Sequence, residues 1–130
     1  MDKVLVTGAA GFIGFHLCKK LISEGYYVFG IDNLNNYYDL NIKKARIKQL
    51  ENLTNGNGSN FTFSKLDLTD NIALSNLFSN NEFKTVCHLA AQAGVRYSLE
   101  YPQTYVDNNI AATVNLLEKA KEAKVKDVVF

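Results

Sequence analysis

The feature that most constrains the fold is a glycine-rich turn placed between an apolar run and a helical pattern. Residues 7–14 read TGAAGFIG, and the β-rich run of residues 3–7 leads directly into them. Beyond the turn, apolar residues recur at helical spacing as far as Gly25. Residues 27–31 form a second uninterrupted apolar run, typical of a strand that is buried on both faces. We therefore predict that a βαβ unit opens the chain, with the glycines at the N-terminus of its helix.

The same alternation continues to residue 130. The patterns predict, in order, an amphipathic helix over 39–53, a strand over 61–66, a helix capped by Asp70, a strand over 85–89, a long loop past Pro102, a helix from Ile110 to Ala120 and a strand starting at 126. Residues 52–60 are rich in turn formers and predict a mobile loop. Alternating strands and helices specify an α/β fold: a Rossmann-like, doubly wound parallel sheet of order 3-2-1-4-5, truncated in the fifth strand.

Composition narrows the class of protein. The 130 residues suffice for one domain, and 47% hydrophobic with 21% charged residues is typical of a folded chain. A formal charge of +1 without a basic run argues against nucleic acid as a partner. The sequence contains neither a secretory signal pattern nor an apolar run long enough to span a membrane, so we expect a cytoplasmic protein.

The two cysteines do not predict a metal site or a disulfide. Cys18 and Cys87 lie among apolar neighbours, as reduced core thiols do. His16 and His88 could join them as ligands, but Cys87 and His88 are adjacent in a predicted strand and would point to opposite faces. We expect no metal.

The glycine turn is suited to a dinucleotide pyrophosphate, which needs backbone amides at a helix N-terminus and no side chain in its way. Gly8 would make the turn, Gly11 would admit the phosphates, and Gly14 would let helix and strand pack closely. The alternative is a tight turn that serves packing alone. Placement inside a βαβ unit favours the dinucleotide.

Asp32 ends the second predicted strand, where a carboxylate can accept hydrogen bonds from the adenosine ribose. It would repel a 2′-phosphate, and residues 33–36 contain no Arg or Lys that could bind one. The cofactor expected is therefore NAD rather than NADP. The alternative is that Asp32 is a plain turn residue.

Four further polar residues have two interpretations each. Asp67 follows the third strand and could accept from the adenine amino group, or simply cap a helix or loop. Arg96 lies in the segment after the fourth strand and could bind a carboxylate or phosphate, or only cover apolar surface. Asn108 and Asn109 open the next predicted helix, so one of them should have a buried hydrogen-bond partner, unless both are surface residues.

Together these residues resemble the extended short-chain dehydrogenase/reductases, and within them the nucleotide-sugar epimerases. The motif TGAAGFIG at residues 7–14 is similar to the glycine motif of that superfamily. The segments IDNLNNYYD at 31–39 and AAQAGVRYS at 90–98 resemble the UDP-glucuronate 4-epimerase branch more specifically. The resemblance extends along essentially the whole chain.

The resemblance implies a role for each candidate residue. A bound NAD would contact Gly8, Gly11, Phe12, Ile13 and Gly14 at the pyrophosphate turn, Asp32 and Asn33 at the ribose, Asp67 and Leu68 at adenine, and Leu89, Ala90 and Ala91 on the path to the nicotinamide. Asn109 would support this site through the sheet, and Arg96 would face the nucleotide-sugar substrate.

Family members remove a hydride from C4 of the sugar and return it to the opposite face, with a Tyr four positions before a Lys as acid/base. None of the tyrosines from Tyr26 to Tyr105 has a Lys four positions later. We therefore expect residues 1–130 to be an incomplete NAD-binding N-terminal domain, inactive alone, with no catalytic residue and no C-terminal substrate domain. Three alternatives stay open: another UDP-sugar epimerase or dehydratase, a non-catalytic NAD-binding module, and an assembly unit that forms a homodimer through the exposed fifth strand.

Overall fold

The computed structural model describes residues 2–54 and 60–130. Its five strands are β1 Lys3–Thr7, β2 Tyr27–Asp32, β3 Phe61–Lys65, β4 Thr85–His88 and β5 Asp127–Val129. Its helices are α1 Phe12–Ser23, α2 Leu40–Asn52, α3 Asn71–Asn80, α4 Val95–Glu100, α5 Pro102–Tyr105, a π-helical turn Val106–Ala111 and α6 Ala112–Glu122. The strand–helix alternation predicted from the sequence is confirmed.

All strands pair in parallel, in the order β3-β2-β1-β4-β5. The predicted order is therefore confirmed. The register places Thr7, the last residue of β1, opposite Ile31 in β2 and His88 in β4. Since the order reverses between β1 and β4, the carboxyl ends of these central strands open a crevice between the connections that leave in opposite directions.

The two sheet faces are covered by different helices, because successive side chains of a strand point to opposite faces. In β1, Leu5 belongs to a core with α3 and α6, whereas Val4 and Val6 belong to a core with α1 and α2. Leu5 and Val6 are fully buried. The uninterrupted apolar runs of the sequence thus correspond to strands covered on both faces.

Two aspartates cap the N-termini of helices, and the cap at Asp70 was predicted. Asp39 Oδ1 accepts from the backbone N–H of Asn41 at 2.9 Å, and Asp70 Oδ1 accepts from that of Ala73 at 3.0 Å. The mobile loop predicted over 52–60 lies largely outside the described residues, which omit 55–59.

The prediction of a long loop after β4 is wrong, because most of residues 95–111 are helical. Pro102 occupies the first turn of α5, where its fixed φ is suited to helix initiation and its missing N–H costs nothing. Asn108 and Asn109 therefore lie within the π-helical turn and do not open a helix. Helices of this type commonly occur at functional sites.

Both cysteines are free thiols, as predicted. Burial raises the pKa of Cys18 to about 12, which makes its thiol inert. Within residues 2–54 and 60–130, no three potential metal-ligating side chains come together. In the same part of the chain, none of the helices combines the length and apolar character that a bilayer crossing requires.

Candidate functional site

The crevice at the carboxyl ends of the central strands is a cleft of about 300 Å³. Nine of the predicted site residues line it: Gly8, Gly11, Asp32, Asn33, Asp67, Leu68, Leu89, Ala90 and Ala91. Five others do not line it, namely Phe12, Ile13, Gly14, Arg96 and Asn109. The sequence motifs from four separate segments thus converge on one surface.

The glycine turn leaves no room for side chains. Gly8 has φ of +69°, and a Cβ there would lie 2.8 Å from the Ala90 nitrogen across the cleft floor. A Cβ on Gly14 would overlap the carbonyl oxygen of Gly8 and lie 2.8 Å from its carbonyl carbon. Gly14 therefore lets α1 pack directly against the turn that precedes it, and the turn brings backbone rather than side chains to the cleft.

Phe12 and Ile13 form the first turn of α1, with side chains that are 68% and 66% exposed. Their backbone amides, at the N-terminus of α1, could donate to a ligand in the cleft. The first N–H groups of a helix have no acceptor within the helix, and the helix dipole favours negative charge there. This end of α1 is suited to an anionic group such as a phosphate.

Asp32 is buried at the end of β2 and is held from three directions. Its Oδ2 accepts from the Ala10 N–H at 3.1 Å, and its Oδ1 accepts from the Leu34 N–H at 2.8 Å. The ammonium of Lys43 lies 3.5 Å from the same Oδ1. These contacts fix the position of the carboxylate in the cleft wall.

Lys43 is the residue that the sequence analysis missed. Residues 33–36 contain no basic side chain, but α2 folds back and brings Lys43 to Asp32. Lys43 is only 5% exposed and lines the cleft. One signal could have found it: Lys43 precedes Ile47 by four positions and Leu50 by seven, which places it on the buried face of α2.

The loop after β2 is tied to α2 by further polar contacts. Lys43 Nζ donates to Asn35 Oδ1 at 3.1 Å, and the Asn35 N–H donates to Asn33 Oδ1 at 3.1 Å. Arg46 Nη1 donates to the Ala10 carbonyl oxygen at 3.0 Å and to the Tyr38 hydroxyl at 2.9 Å. The glycine turn, the loop after β2 and α2 thus form one connected wall.

A chain of hydrogen bonds joins β1 to β4 beneath the cleft. The hydroxyl of Thr7 accepts from the N–H groups of Leu89 and Ala90, each at 3.0 Å. It lies 2.7 Å from His88 Nδ1, and His88 Nε2 lies 2.9 Å from the Thr113 hydroxyl. This network sets the backbone of two residues that line the cleft.

The hydrogen-bond partners of Thr7 and Thr113 determine the protonation state of His88. Both lone pairs of the Thr7 hydroxyl are used by N–H donors, so its own proton is donated to Nδ1. The Thr113 hydroxyl donates to the Asn109 carbonyl oxygen at 2.8 Å, so it must accept from Nε2. His88 is therefore neutral with its proton on Nε2, in agreement with the lowering of its pKa by burial.

The side chain of Asn109 binds the backbone of Gln92. Its Oδ1 accepts from the Gln92 N–H at 2.7 Å and its Nδ2 donates to the Gln92 carbonyl oxygen at 3.0 Å. These bonds hold the segment after β4, and the Asn109 carbonyl oxygen is also linked through the Thr113 hydroxyl to His88 of β4. Support of a cofactor site by Asn109 stays a prediction. Asn108 lines the cleft, while its Nδ2 donates to the Thr104 carbonyl oxygen at 2.9 Å.

Asp67 and Arg96 differ in their relation to the cleft. Asp67 lines it, but its Oδ1 is also engaged locally by the N–H and hydroxyl of Thr69, at 2.9 and 2.7 Å. Asp67 can therefore stabilise the turn through Oδ1 and still offer its second oxygen, Oδ2, to a ligand. Arg96 is exposed on α4, away from the cleft lining.

A parallel sheet with a glycine turn before its first helix and a fixed carboxylate at the end of β2 defines a Rossmann-like domain of the dinucleotide-binding kind. The sequence model of the family described as GDP-mannose 4,6 dehydratase matches residues 5–130. The chain belongs to this family, the short-chain dehydrogenase/reductase group that includes nucleotide-sugar epimerases. The resemblance found in the sequence motifs is confirmed.

Several proteins that are similar to this chain in sequence or structure are named as UDP-glucuronate 4-epimerases. The chain is 46% identical over 130 residues to UDP-glucuronate 4-epimerase of Thermodesulfobacterium geofontis, covering 100% of the chain and 39% of that protein. It is 50% identical over 120 residues to UDP-glucuronate 4-epimerase 1 of Arabidopsis thaliana, covering 92% and 27%. A solved mutant of UDP-glucuronic acid 4-epimerase from Bacillus cereus, in complex with UDP-4-deoxy-4-fluoro-glucuronic acid and NAD, is 41% identical with a TM-score of 0.82, covering 96% and 37%. The chain thus spans less than two fifths of the length of each.

Proposed function

We propose that this chain is the NAD-binding part of a nucleotide-sugar 4-epimerase that interconverts UDP-glucuronate and UDP-galacturonate. The observation that carries the proposal is the convergence of the glycine turn and the fixed carboxylate of Asp32 on one cleft. Rossmann-like domains bind a dinucleotide between two such elements. The identities to UDP-glucuronate 4-epimerases support the sugar assignment.

The residues present fit NAD in shape and charge. Gly8 and Gly11 leave the backbone open to the pyrophosphate, and the first amides of α1 would donate to it. Asp32 and Asn33 would accept from and donate to the ribose hydroxyls, while Asp67 and Leu68 would flank adenine. The small side chains of Ala90 and Ala91 would let the nicotinamide lie against the backbone. Bound NAD would supply a hydride acceptor for C4 of the sugar.

The surrounding residues would position this site without touching the sugar. Thr7 and His88 hold the backbone of Leu89 and Ala90, and Asn109 holds that of Gln92. Both sides of the segment after β4 are therefore fixed before any ligand arrives, which lowers the entropic cost of binding. Arg96 lies on α4 outside the cleft lining and would face the nucleotide sugar beyond the cofactor.

The acid/base pair of the family would come from outside these 130 residues. No tyrosine of the sequence precedes a lysine by four positions. We therefore propose that residues 1–130 form an incomplete cofactor domain, completed by a substrate domain in the whole enzyme, and that the chain alone is inactive.

The nucleotide sugar is the proposed partner of the whole enzyme, and pairing at the β5 edge would give a homodimer. The two free thiols favour the cytoplasm as the compartment.

One observation favours a second function. The matching family is described by a dehydratase rather than an epimerase, and both chemistries begin with oxidation at C4 by the same cofactor half. A nucleotide-sugar dehydratase is therefore the alternative. Assay of the whole enzyme separates the two, because a dehydratase releases a 4-keto-6-deoxy sugar and an epimerase returns a sugar of unchanged mass.

Calorimetric titration of the chain with NAD and NADP tests the cofactor assignment. Wild-type chain should bind NAD more tightly than NADP, and Asp32→Ala should weaken NAD binding about tenfold or more, as loss of a charge-assisted hydrogen bond does. Glu118→Ala removes an exposed carboxylate of α6 remote from the cleft lining and should leave binding unchanged. A folded wild-type chain that binds neither nucleotide would refute the proposal for this chain.

A further inference from the structure

We propose that Lys43 determines cofactor specificity through its ion pair with Asp32. While the two side chains are paired, the ribose end of the cleft has no net charge. When a substitution removes the charge of Asp32, Lys43 becomes a binding site for the 2′-phosphate of NADP. This inference rests on the proposed NAD site. It goes beyond that site because it assigns the choice between the two nucleotides to an ion pair, whereas the sequence suggested a lone carboxylate.

The geometry of the pair carries the first step. Lys43 Nζ lies 3.5 Å from Asp32 Oδ1, and the two side chains are only 7% and 6% exposed. Both residues line the cleft. A phosphate on the ribose hydroxyl beside Asp32 would therefore meet an ammonium as well as a carboxylate. In a partly desolvated site both charges act strongly on such a dianion.

The ammonium would stay at the cleft wall without Asp32. Its second partner is Asn35 Oδ1 at 3.1 Å, and the Tyr38 ring centroid lies 5.1 Å from Nζ. The stem of Lys43 is on the face of α2 that buries Ile47 and Leu50, and this packing holds its ammonium at the cleft lining. A buried cation without a counter-ion is strongly disfavoured, and an incoming phosphate relieves that cost.

Asp32 conversely keeps partners when Lys43 is removed. The N–H groups of Ala10 and Leu34 still donate to its two oxygens. Arg46 adds a second cation on the same wall, but its guanidinium is engaged by the Ala10 carbonyl and the Tyr38 hydroxyl. Lys43 is thus the cation that loses its counter-ion when Asp32 alone is replaced.

The test measures dissociation constants for NAD and NADP by calorimetry on the 130-residue chain and three variants: Asp32→Asn, Lys43→Met and the double variant. The ratio of the NADP constant to the NAD constant should fall at least about tenfold in Asp32→Asn, the equivalent of one charge-assisted hydrogen bond. The double variant should lose this gain. Lys44→Met, an exposed lysine on α2, should leave the ratio unchanged.

Lys43→Met alone keeps the proposal testable if Asp32→Asn does not fold, as judged by its thermal melting curve. Without the lysine, the carboxylate repels the 2′-phosphate uncompensated, so the ratio should rise about fivefold or more. A ratio equal to that of Lys44→Met would overturn the proposal, as would an unchanged NADP gain in the double variant. Absence of NAD binding by folded wild-type chain would instead refute the proposed function itself, and this inference with it.

Discussion

Replacing Thr7 by valine removes a hydroxyl and leaves the volume of the side chain almost unchanged. Thr7 is fully buried, so water cannot take the place of its hydroxyl. Three groups bond to the hydroxyl: the N–H groups of Leu89 and Ala90 and Nδ1 of His88. The change therefore isolates the contribution of this network from packing.

The magnitude follows from which groups lose their last partner. The Leu89 N–H keeps a bond to the Thr7 backbone carbonyl at 3.3 Å, so it stays satisfied. The Ala90 N–H and His88 Nδ1 lose the partners described for them. Each buried group left without a partner costs about 1–3 kcal/mol, so the loss of two partners should lower the free energy of unfolding by about 2–6 kcal/mol.

Urea denaturation of the chain, followed by circular dichroism, measures this difference. Thr7→Ser is the matched control, because it keeps all three hydrogen bonds and loses one buried methyl group, at a cost of about 1 kcal/mol. A valine variant as stable as the serine variant would refute the assigned network. A clearly larger loss of stability in Thr7→Val than in Thr7→Ser supports it.

Two further predictions concern the same region. Burial lowers the pKa of folded His88, so the unfolded chain binds more protons below about pH 6.5; stability should fall as the pH drops through this range. Denaturation at several pH values measures this, and His88→Gln should abolish the dependence whereas exposed His16→Gln should not. Gly14→Ala should destabilise the chain by at least about 2 kcal/mol, because the added Cβ overlaps the Gly8 carbonyl. Lys19→Ala, on the exposed side of α1, should change the thermal midpoint little, and a similar midpoint for both variants would contradict the packing argument.

The local features of the sequence determined the order of the elements and the topology. Short uninterrupted apolar runs bounded by turn residues, such as residues 27–31, are typical of strands inside a sheet that is covered on both faces. Parallel strands joined by helices then allow few arrangements, because the crossovers are right-handed. The glycine turn and Asp32 were found for the same reason: their roles depend on position relative to neighbouring elements in the chain, which spacing reveals.

The segment after β4 was predicted less well, because helical periodicity is weak where apolar side chains do not face a core. Leu99 in α4 is 80% exposed and Val95 is 82% exposed, so the pattern there carries no clear buried face. Between α5 and α6 the chain forms a π-helical turn, which shifts the helical periodicity by one residue. Asn109 was singled out by its unfavourable position in a helix, but only the fold shows that its partner is Gln92.

By itself, the sequence determined the fold class, the strand order and the segments that meet in the cleft, since these follow from the chemistry of neighbouring residues. Only the tertiary structure decided what each side chain meets there. It brought Lys43 to Asp32 from eleven positions away along the chain. It also made the tautomer of His88 depend on the hydroxyl groups of Thr7 and Thr113. The physical reason is that an ion pair or hydrogen bond acts over a few ångströms, and the packing of α2 and α6 on the sheet sets those distances.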